Sequence, residues 1–177
     1  MRKLVTSTFV SLDGVADVPE KWQGPFWNDE TTAAVTDMLW DAGALLLGRK
    51  TYEALADEPD DGDIAERMNN MPKFVVSDTL EDVTGNATLV VGDLADEITE
   101  LKSEAGNDIL VYGSVRLMRS LMNEDLIDEY RIWVHPVVVG AGSRLFEPGL
   151  DHADLHLVDT RIFPTGVVLL TYQPGNG

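Results

Sequence analysis

Two short runs, each ending on a glycine and leading straight into a helical pattern, constrain the fold more than any other feature of the sequence. They are ALLLG at 44–48, which is apolar throughout, and ILVYG at 109–113. Such runs are typical of central strands covered on both faces of a sheet. A helix that begins directly after a strand leaves its first N–H groups without partners, and such a helix start binds anions. Because open α/β sheets bind ligands at their carboxyl edge, the junctions predict a paired anion site there.

An arginine stands in the first turn after each of these junctions. Arg49 follows Gly48 directly, and Arg116 comes shortly after Gly113. The chain carries 13 basic and 31 acidic residues, a net charge of −18, so its few arginines are informative. Two helix starts with a guanidinium beside each suit the diphosphate of a dinucleotide. The alternative is that both glycines only allow close turns.

The rest of the chain first alternates predicted strands with helices and then reads like a series of antiparallel strands. Asn28, Asp93 and Ser114 are the predicted N-caps of three helices. The pattern predicts an α/β fold in a single domain over 1–177, with a central mixed sheet, antiparallel C-terminal strands and helices on both faces. An exposed loop is predicted over 57–63. The predicted strands are 3–14, 44–48, 73–77, 87–91, 108–113, 127–140, 153–163 and 166–173.

Composition excludes several classes of protein. The chain has no cysteine, and therefore no disulfide framework, thiolate zinc site or cysteine nucleophile. No apolar stretch approaches a membrane span and the N-terminus resembles a strand, so we expect a cytoplasmic protein without a membrane partner. The acidity argues against nucleic acid as a partner. His152 and His156 are four residues apart, but they lie at a strand entrance without a third ligand, so we predict no metal site.

Five segments, in this order, resemble one known superfamily. They are TFVSLDG, LLLGRKTYE, PKFVVSDTL, ILVYGSVRLMRSL and LIDEYRIWVHPVVVGAGSRLF. The series resembles the dihydrofolate-reductase-like superfamily and is most similar to the C-terminal reductase domain of the bacterial bifunctional riboflavin deaminase-reductase. The resemblance covers nearly the whole chain. It implies a three-layer dihydrofolate-reductase-like fold that binds NADPH across the carboxyl edge of its sheet.

The resemblance also implies roles for particular residues. Asp13 and Gly14 would lie where nicotinamide meets substrate, and Asp13, or a water that it positions, would supply a proton. The alternative for Asp13 is a simple Asp-Gly turn. The implied cofactor-binding residues are Gly48, Arg49 and Thr51 at the first helix start, Ser77 beside the adenosine ribose and its 2′-phosphate, and Gly113, Ser114, Val115 and Arg116 at the second helix start.

Two positions depart from the superfamily pattern. Family members often carry a basic residue after the serine of VVS, but here Asp78 would repel the 2′-phosphate of NADPH. Lys50 or Lys73 could compensate, so NADPH is the expected cofactor and NADH remains open. Folate-reducing members hold the pterin with a carboxylate in the first helix, where this chain has Thr31 and Thr32. Folate is therefore not the expected substrate.

Three aromatic residues, Trp22, Phe26 and Trp27, crowd the loop after the first strand. As substrate-binding residues they would stack on a flat ring or form a lid. The alternative is that they only anchor a long loop to the core.

Two classes of function follow from these features. The first is an NAD(P)H-dependent reductase of a small heterocycle, aminopyrimidine or pterin-like, with 5-amino-6-(5-phosphoribosylamino)uracil of riboflavin biosynthesis as one example. The second is a non-catalytic nucleotide-binding or interaction protein that retains the fold. In either case the apolar late strands, 132–140 and 167–172, could present a sheet edge or face to a second copy, so we expect a homodimer.

Overall fold

The computed structural model describes residues 1–57 and 62–175, which form a mixed sheet with helices on both faces. The predicted loop over 57–63 falls mainly on 58–61, outside the described residues. The elements are β1 (Leu4–Ser11), α1 (Asp29–Asp41), β2 (Ala44–Gly48), α2 (Arg49–Asp57), α3 (Asp63–Asn70), β3 (Lys73–Val76), β4 (Ala87–Val90), α4 (Leu94–Ser103), β5 (Ile109–Tyr112), α5 (Val115–Asn123), β6 (Glu129–His135), β7 (Leu155–Ile162) and β8 (Val168–Pro174).

The eight strands lie in the order β4-β3-β2-β5-β1-β6-β8-β7. Neighbours from β4 to β6 pair in parallel, and β8 pairs antiparallel with both β6 and β7. This arrangement confirms the predicted mixed sheet and its antiparallel C-terminal strands. Because β2 and β5 are neighbours, with Leu46 opposite Val111, both strand–glycine–helix junctions lie at the same edge of the sheet.

Side chains that alternate along the strands build two cores, one on each face of the sheet. On β1, Leu4 and Val10 enter the core under α4 and α5, and Val5 enters the core under α1 and α3. Trp133 is fully buried in the second core, where its indole N–H donates to Ser7 Oγ at 3.0 Å. Both faces are thus covered over the central strands, which explains why a run such as ALLLG is apolar at every position.

The predicted N-caps of α1 and α4 are confirmed. Asn28 Oδ1 accepts the backbone N–H of Thr31 at 3.0 Å, and Thr31 Oγ1 accepts the backbone N–H of Asn28 at 2.8 Å. This reciprocal pair is a capping box. Asp93 accepts the N–H groups of Ala95 and Asp96 in the same way at the start of α4. Each cap supplies the acceptor that the first helical turn lacks.

The helix α3 was not predicted. Among its described side chains it buries only Met68, and Gly62 at its N-cap position provides no side-chain hydrogen bond. What holds α3 in place is remote in sequence, because Arg67 donates to the carbonyl oxygens of Leu39 and Ala42 at 3.1 and 2.7 Å. Those carbonyls lie at the end of α1, so Arg67 satisfies acceptors that α1 leaves open.

The strand β6 is shorter than predicted. It ends at His135, because Pro136 has no N–H for a strand partner and the N–H of Val137 turns back to the carbonyl of His135 at 2.8 Å. Within residues 1–57 and 62–175, none of the helices has the length and apolar character needed to cross a bilayer.

Candidate functional site

The two strand–glycine–helix junctions interlock through hydroxyl side chains. The backbone N–H of Gly48 donates to Ser114 Oγ at 2.8 Å, and the Ser114 hydroxyl donates to Thr51 Oγ1 at 2.8 Å. A Cβ at Gly48 would lie 3.4 Å from Ser114 Oγ, and a Cβ at Gly113 would lie 3.4 Å from Thr51 Cγ2. Each junction therefore packs its glycine against a hydroxyl residue from the start of the other helix.

Ser114 occupies the N-cap position of α5, but its side chain does not cap that helix, contrary to the prediction. Its φ and ψ angles of 50° and 53° are left-handed, and Gly113 before it has a φ of 62°. In this conformation the hydroxyl lies between Gly48 and Thr51. Within the described residues, the first N–H groups of α5 therefore receive no side-chain cap from Ser114, and they can bind an anion.

The other two residues predicted at the second junction begin α5. Val115 is half-buried and packs against the core under α4 and α5, so only its backbone can face a ligand. Arg116 is exposed and lines a groove of about 270 Å³ between α5 and residues 147–150. At the second junction, the structure therefore leaves the backbone available to a ligand, and the Arg116 side chain is exposed beside it.

Arg49 connects the start of α2 to the loop after β3. Its guanidinium donates to Thr79 Oγ1 at 3.2 Å and lies 3.8 Å from the carboxylate of Glu53. In the same loop, Ser77 Oγ accepts the backbone N–H of Thr79 at 3.2 Å. Asp78 is exposed between these two residues. The loop that carries Asp78, the acidic departure from the superfamily pattern, thus has the Arg49 guanidinium beside it.

Lys73 does not face this loop as a free cation. It is 8% exposed, and its Nζ donates to the carbonyl oxygens of Asn69 and Met71 at 2.8 and 3.4 Å. Burial lowers its pKa below the ordinary lysine value. The geometry assigns Lys73 to the end of α3 rather than to a phosphate. Lys50, which is exposed in the first turn of α2, stays a candidate.

The Asp13 carboxylate joins the turn after β1 to residues 139–140 through hydrogen bonds. It accepts the Ser11 hydroxyl at 2.6 Å and the N–H groups of Val139 and Gly140 at 3.0 and 2.8 Å. These hydrogen bonds, that of Ser11 first, lower the pKa of Asp13 to about 2. The carboxyl is therefore ionised near neutral pH. Of the two chemical roles predicted for Asp13, positioning a water fits this geometry better than donating a proton.

Gly14 and Arg119 both make hydrogen bonds to the loop over 140–147. Gly14 has a φ of 84°, which the turn requires, and its carbonyl accepts the N–H of Leu145 at 2.8 Å. Arg116 was a predicted site residue and Arg119 was not, although both are arginines of the same helix in a chain with few basic residues. The Arg119 guanidinium contacts four groups of this loop: the carbonyls of Leu145 (3.2 Å) and Arg144, Ser143 Oγ (3.2 Å) and the Glu147 carboxylate (2.9 Å).

The three loop aromatics pack edge-on against rings of the core. Trp27 contacts Phe9 with ring centroids 5.9 Å apart, and Trp22 and Phe26 contact His135 at 5.3 and 6.0 Å. Burial lowers the pKa of His135, so it presents a neutral ring. These contacts support the anchoring alternative. All three loop rings are only half-buried, so each also keeps an accessible part.

The described residues, 1–57 and 62–175, contain no grouping of side chains suited to a metal ion. No cluster of three or more histidine, aspartate and glutamate side chains in those ranges could hold a metal ion. His152 lies 3.4 Å from Asp154, and both side chains are almost fully exposed.

Comparison with known proteins identifies the family. A model of the RibD C-terminal domain matches residues 2–169. The chain belongs to this family. The protein YyaP of Bacillus subtilis (strain 168) is 28% identical over 179 residues, which cover 97% of this chain and 95% of YyaP.

Two solved structures show the same fold. One, from Shewanella sp. PV-4 and described as a candidate riboflavin biosynthesis protein, has a TM-score of 0.79 at 24% identity and covers 99% of this chain and 100% of its own. The other is dihydrofolate reductase from Enterococcus faecalis complexed with NADP(H) and RAB-propyl, with a TM-score of 0.69 at 14% identity, covering 98% of this chain and 97% of its own. They confirm the predicted dihydrofolate-reductase-like fold.

Proposed function

We propose that this chain is an NAD(P)H-dependent reductase of a small heterocyclic substrate. The observation that carries the proposal is the interlocked pair of junctions, in which Ser114 Oγ bridges Gly48 and Thr51. It brings two helix starts together at the carboxyl edge of neighbouring parallel strands. That edge is where α/β sheets bind nucleotides, and helix starts favour phosphate groups.

The residues at this edge fit a dinucleotide. A Cβ at Gly48 or Gly113 would lie 3.4 Å from Ser114 or Thr51, so glycine lets the two turns pack closely against each other. The start of α5 contributes N–H groups, and Arg49 contributes a cation next to Ser77 and the loop after β3. We propose Lys50, Val115 and Arg116 as further contacts along the same edge.

When bound, a reduced nicotinamide would supply the hydride. The chain itself must orient the two rings and deliver a proton. Asp13 is held by three donors and stays ionised, so its part is to join the turn after β1 to the 140–147 loop and to orient a water as the proton donor. Trp22, Phe26 and Trp27 keep accessible ring surface on the loop beside Gly14, which suits contact with a flat ring.

An aminopyrimidine or pterin-like ring is the substrate class that we propose. Membership of the RibD C-terminal domain family supports it. Folate is disfavoured, because the hydroxyls of Thr31 and Thr32 are both bonded to Asn28 at the start of α1 and neither position supplies a carboxylate. The first compound to test is therefore 5-amino-6-(5-phosphoribosylamino)uracil.

One observation favours a second class of function, a nucleotide-binding protein without catalysis. The Asp13 carboxylate already accepts three hydrogen bonds that hold two loops together, as a structural residue would. Hydride transfer from bound cofactor to any compound of the proposed class would reject this alternative.

Calorimetric titration with NADPH and, separately, NADH tests the nucleotide site. Gly113→Ala adds a Cβ that meets Thr51 at a φ of +62°. The matched control is Gly85→Ala, at a φ of +65°, where no atom of the described residues lies within 4 Å of the new Cβ. Both variants carry similar backbone strain of about 1–2 kcal/mol. We expect micromolar binding by the wild-type chain and by Gly85→Ala, and at least about tenfold weaker binding by Gly113→Ala.

Either of two results contradicts the proposal: neither nucleotide binds the folded wild-type chain, or both variants bind as well as wild type. Where binding is confirmed, loss of reduced-nicotinamide absorbance in the presence of the aminopyrimidine tests catalysis. Binding without any turnover of aminopyrimidine or pterin compounds would favour the non-catalytic alternative.

A further inference from the structure

The loop over 140–147 lies between α5 and the turn that follows β1. Its backbone makes two hydrogen bonds on the side of that turn. The N–H of Leu145 donates to the carbonyl of Gly14 at 2.8 Å, and the carbonyl of Ser143 accepts the N–H of Ala16 at 2.9 Å. This part of the loop is therefore held against the turn by its main chain alone.

On its other side, the same part of the loop is held by Arg119 of α5. The guanidinium donates to the carbonyl oxygens of Arg144 and Leu145, the latter at 3.2 Å, and to Ser143 Oγ at 3.2 Å. It also pairs with the Glu147 carboxylate at 2.9 Å. Because a guanidinium carries five N–H donors in a fixed plane, one side chain holds all four groups in a single arrangement.

The Glu147 carboxylate is bound to the loop as well as to Arg119. Its Oε1 accepts the Ser143 hydroxyl at 3.0 Å and the backbone N–H of Arg144 at 3.1 Å. These hydrogen bonds, that of the Arg144 N–H first, lower the pKa of Glu147, so the carboxyl is ionised near neutral pH. The Arg119 cation therefore meets a negative charge whose position the loop itself fixes.

The beginning of the loop and the residue before it hold Asp13. The N–H groups of Val139 and Gly140 donate to the Asp13 carboxylate at 3.0 and 2.8 Å. Gly142 follows within the loop, and a Cβ there would lie 2.9 Å from Cγ1 of Val15, which is fully buried. Since this packing leaves no free space, we expect a shift at the far end of the loop to reach the two donors to the carboxylate.

We propose that Arg119 is a positioning residue of the reductase, which acts through the 140–147 loop on the Asp13 carboxylate. The inference rests on the proposed function, in which Asp13 orients the water that delivers the proton. The helix that carries Arg119 also presents its first N–H groups to the diphosphate. Val115 begins this helix, and Arg119 follows four residues later, about 6 Å along the helix axis. Arg119 thereby ties the position of Asp13 to the helix that binds the cofactor.

Steady-state kinetics of Arg119→Gln with NADPH and 5-amino-6-(5-phosphoribosylamino)uracil test the role. A misplacement of about 1 Å costs about 10²-fold in rate, so we expect kcat to fall at least about tenfold. The dissociation constant of NADPH, from calorimetry, should stay within about threefold of wild type, because the first turn of α5 is unchanged. Arg119→Lys keeps a cation beside Glu147 but loses the planar set of donors, so its kcat should lie between those of Arg119→Gln and wild type.

Arg131→Gln is the matched control. The Arg131 guanidinium pairs with the Glu129 carboxylate at 2.9 Å near the start of β6, whereas Asp13 follows the end of the parallel strand β1. Its kcat and its affinity for NADPH should equal those of wild type. A wild-type kcat in Arg119→Gln overturns the inference and leaves the proposed function standing. An equal fall in both arginine variants, or a loss of NADPH affinity as large as the loss in kcat, also overturns it, because either result means that the arginine only stabilises the fold.

Hydrogen exchange without any ligand tests the same contact when the wild-type chain shows no turnover. Absence of turnover contradicts the proposed function but not the hold of Arg119 on the loop. The amides of Val139 and Gly140, which donate to Asp13, should exchange at least about tenfold faster in Arg119→Gln and at the wild-type rate in Arg131→Gln. Unchanged exchange of both amides in Arg119→Gln means that this arginine does not position Asp13, and the inference is then wrong.

Discussion

The Ser114→Ala substitution is the sharpest test of how the two junctions are held together. It removes the acceptor of the Gly48 N–H and the donor to Thr51 Oγ1, each at 2.8 Å. An unsatisfied buried group costs about 1–3 kcal/mol. Because Gly48 is only half-buried and water can partly replace the hydroxyl, we expect a loss near the lower end, about 1–2 kcal/mol in the free energy of unfolding.

Ser114→Gly removes the same hydrogen bonds but relieves the backbone. At a φ of 50° a Cβ costs about 1–2 kcal/mol, and the greater freedom of glycine in the unfolded chain offsets about 0.4–1 kcal/mol of that gain. Ser114→Gly should therefore be less destabilised than Ser114→Ala by about 0.5–1 kcal/mol. Urea unfolding of the three proteins, with unchanged m-values, measures both differences. An alanine variant as stable as wild type would refute the reasoning.

A double-mutant cycle with Thr51→Val isolates the contact between the two helix starts. Valine keeps the methyl group on the Gly113 side of Thr51 and replaces the hydroxyl with a second methyl group. We expect a coupling free energy between Ser114→Ala and Thr51→Val of about 0.5–1.5 kcal/mol. Strict additivity would mean that the Ser114–Thr51 hydrogen bond does not join the two junctions.

Two further predictions concern carboxylates of the site. Because the pKa of Asp13 is lowered to about 2, its contribution to stability is present above its ordinary value of 3.8 and is lost as the pH falls through about 2. Asp13→Asn should be less stable than wild type at neutral pH, and unfolding midpoints of the two should converge toward pH 2. Asp78→Arg should raise the affinity for NADPH about tenfold and leave that for NADH unchanged, because it replaces a repulsion of the 2′-phosphate by a charged hydrogen bond. Equal effects on both nucleotides in calorimetry would show that Asp78 does not face that phosphate.

Features encoded in short stretches of sequence were predictable. The caps at Asn28 and Asp93, the buried strands, and the order of strands and helices depend on neighbours within a few residues. The helix α3 was missed because its place depends on Arg67 reaching the end of α1, a contact between distant parts of the chain. The extent of β6 was overestimated, because an apolar pattern continues past Pro136 although the N–H of Val137 turns back to His135 and the regular strand ends there.

The candidate site also combines features that are encoded locally with features that depend on contacts between distant parts of the chain. The glycines at 48 and 113 were visible because a strand that turns directly into a helix has a local signature. The roles of Ser114, Asp13 and Arg119 were not visible in the same way. A hydroxyl or a carboxylate can hydrogen-bond many partners, and sequence spacing does not say which of them the fold brings within 3 Å.

The sequence by itself determined the architecture and the position of both helix starts at one edge of the sheet. It also determined the acidity of the chain, against which its few arginines are informative. These follow from local propensity, periodicity and charge, which need no knowledge of the partner. Only the tertiary structure decided that Ser114 bridges the junctions and that the ionised Asp13 carboxylate holds two loops together. The same is true of the burial of Lys73 and of the position of β7 at the edge of the sheet. The first two depend on hydrogen bonds between segments far apart in the chain, and the last two depend on how the helices and strands pack, so all four exist only once the sheet has formed.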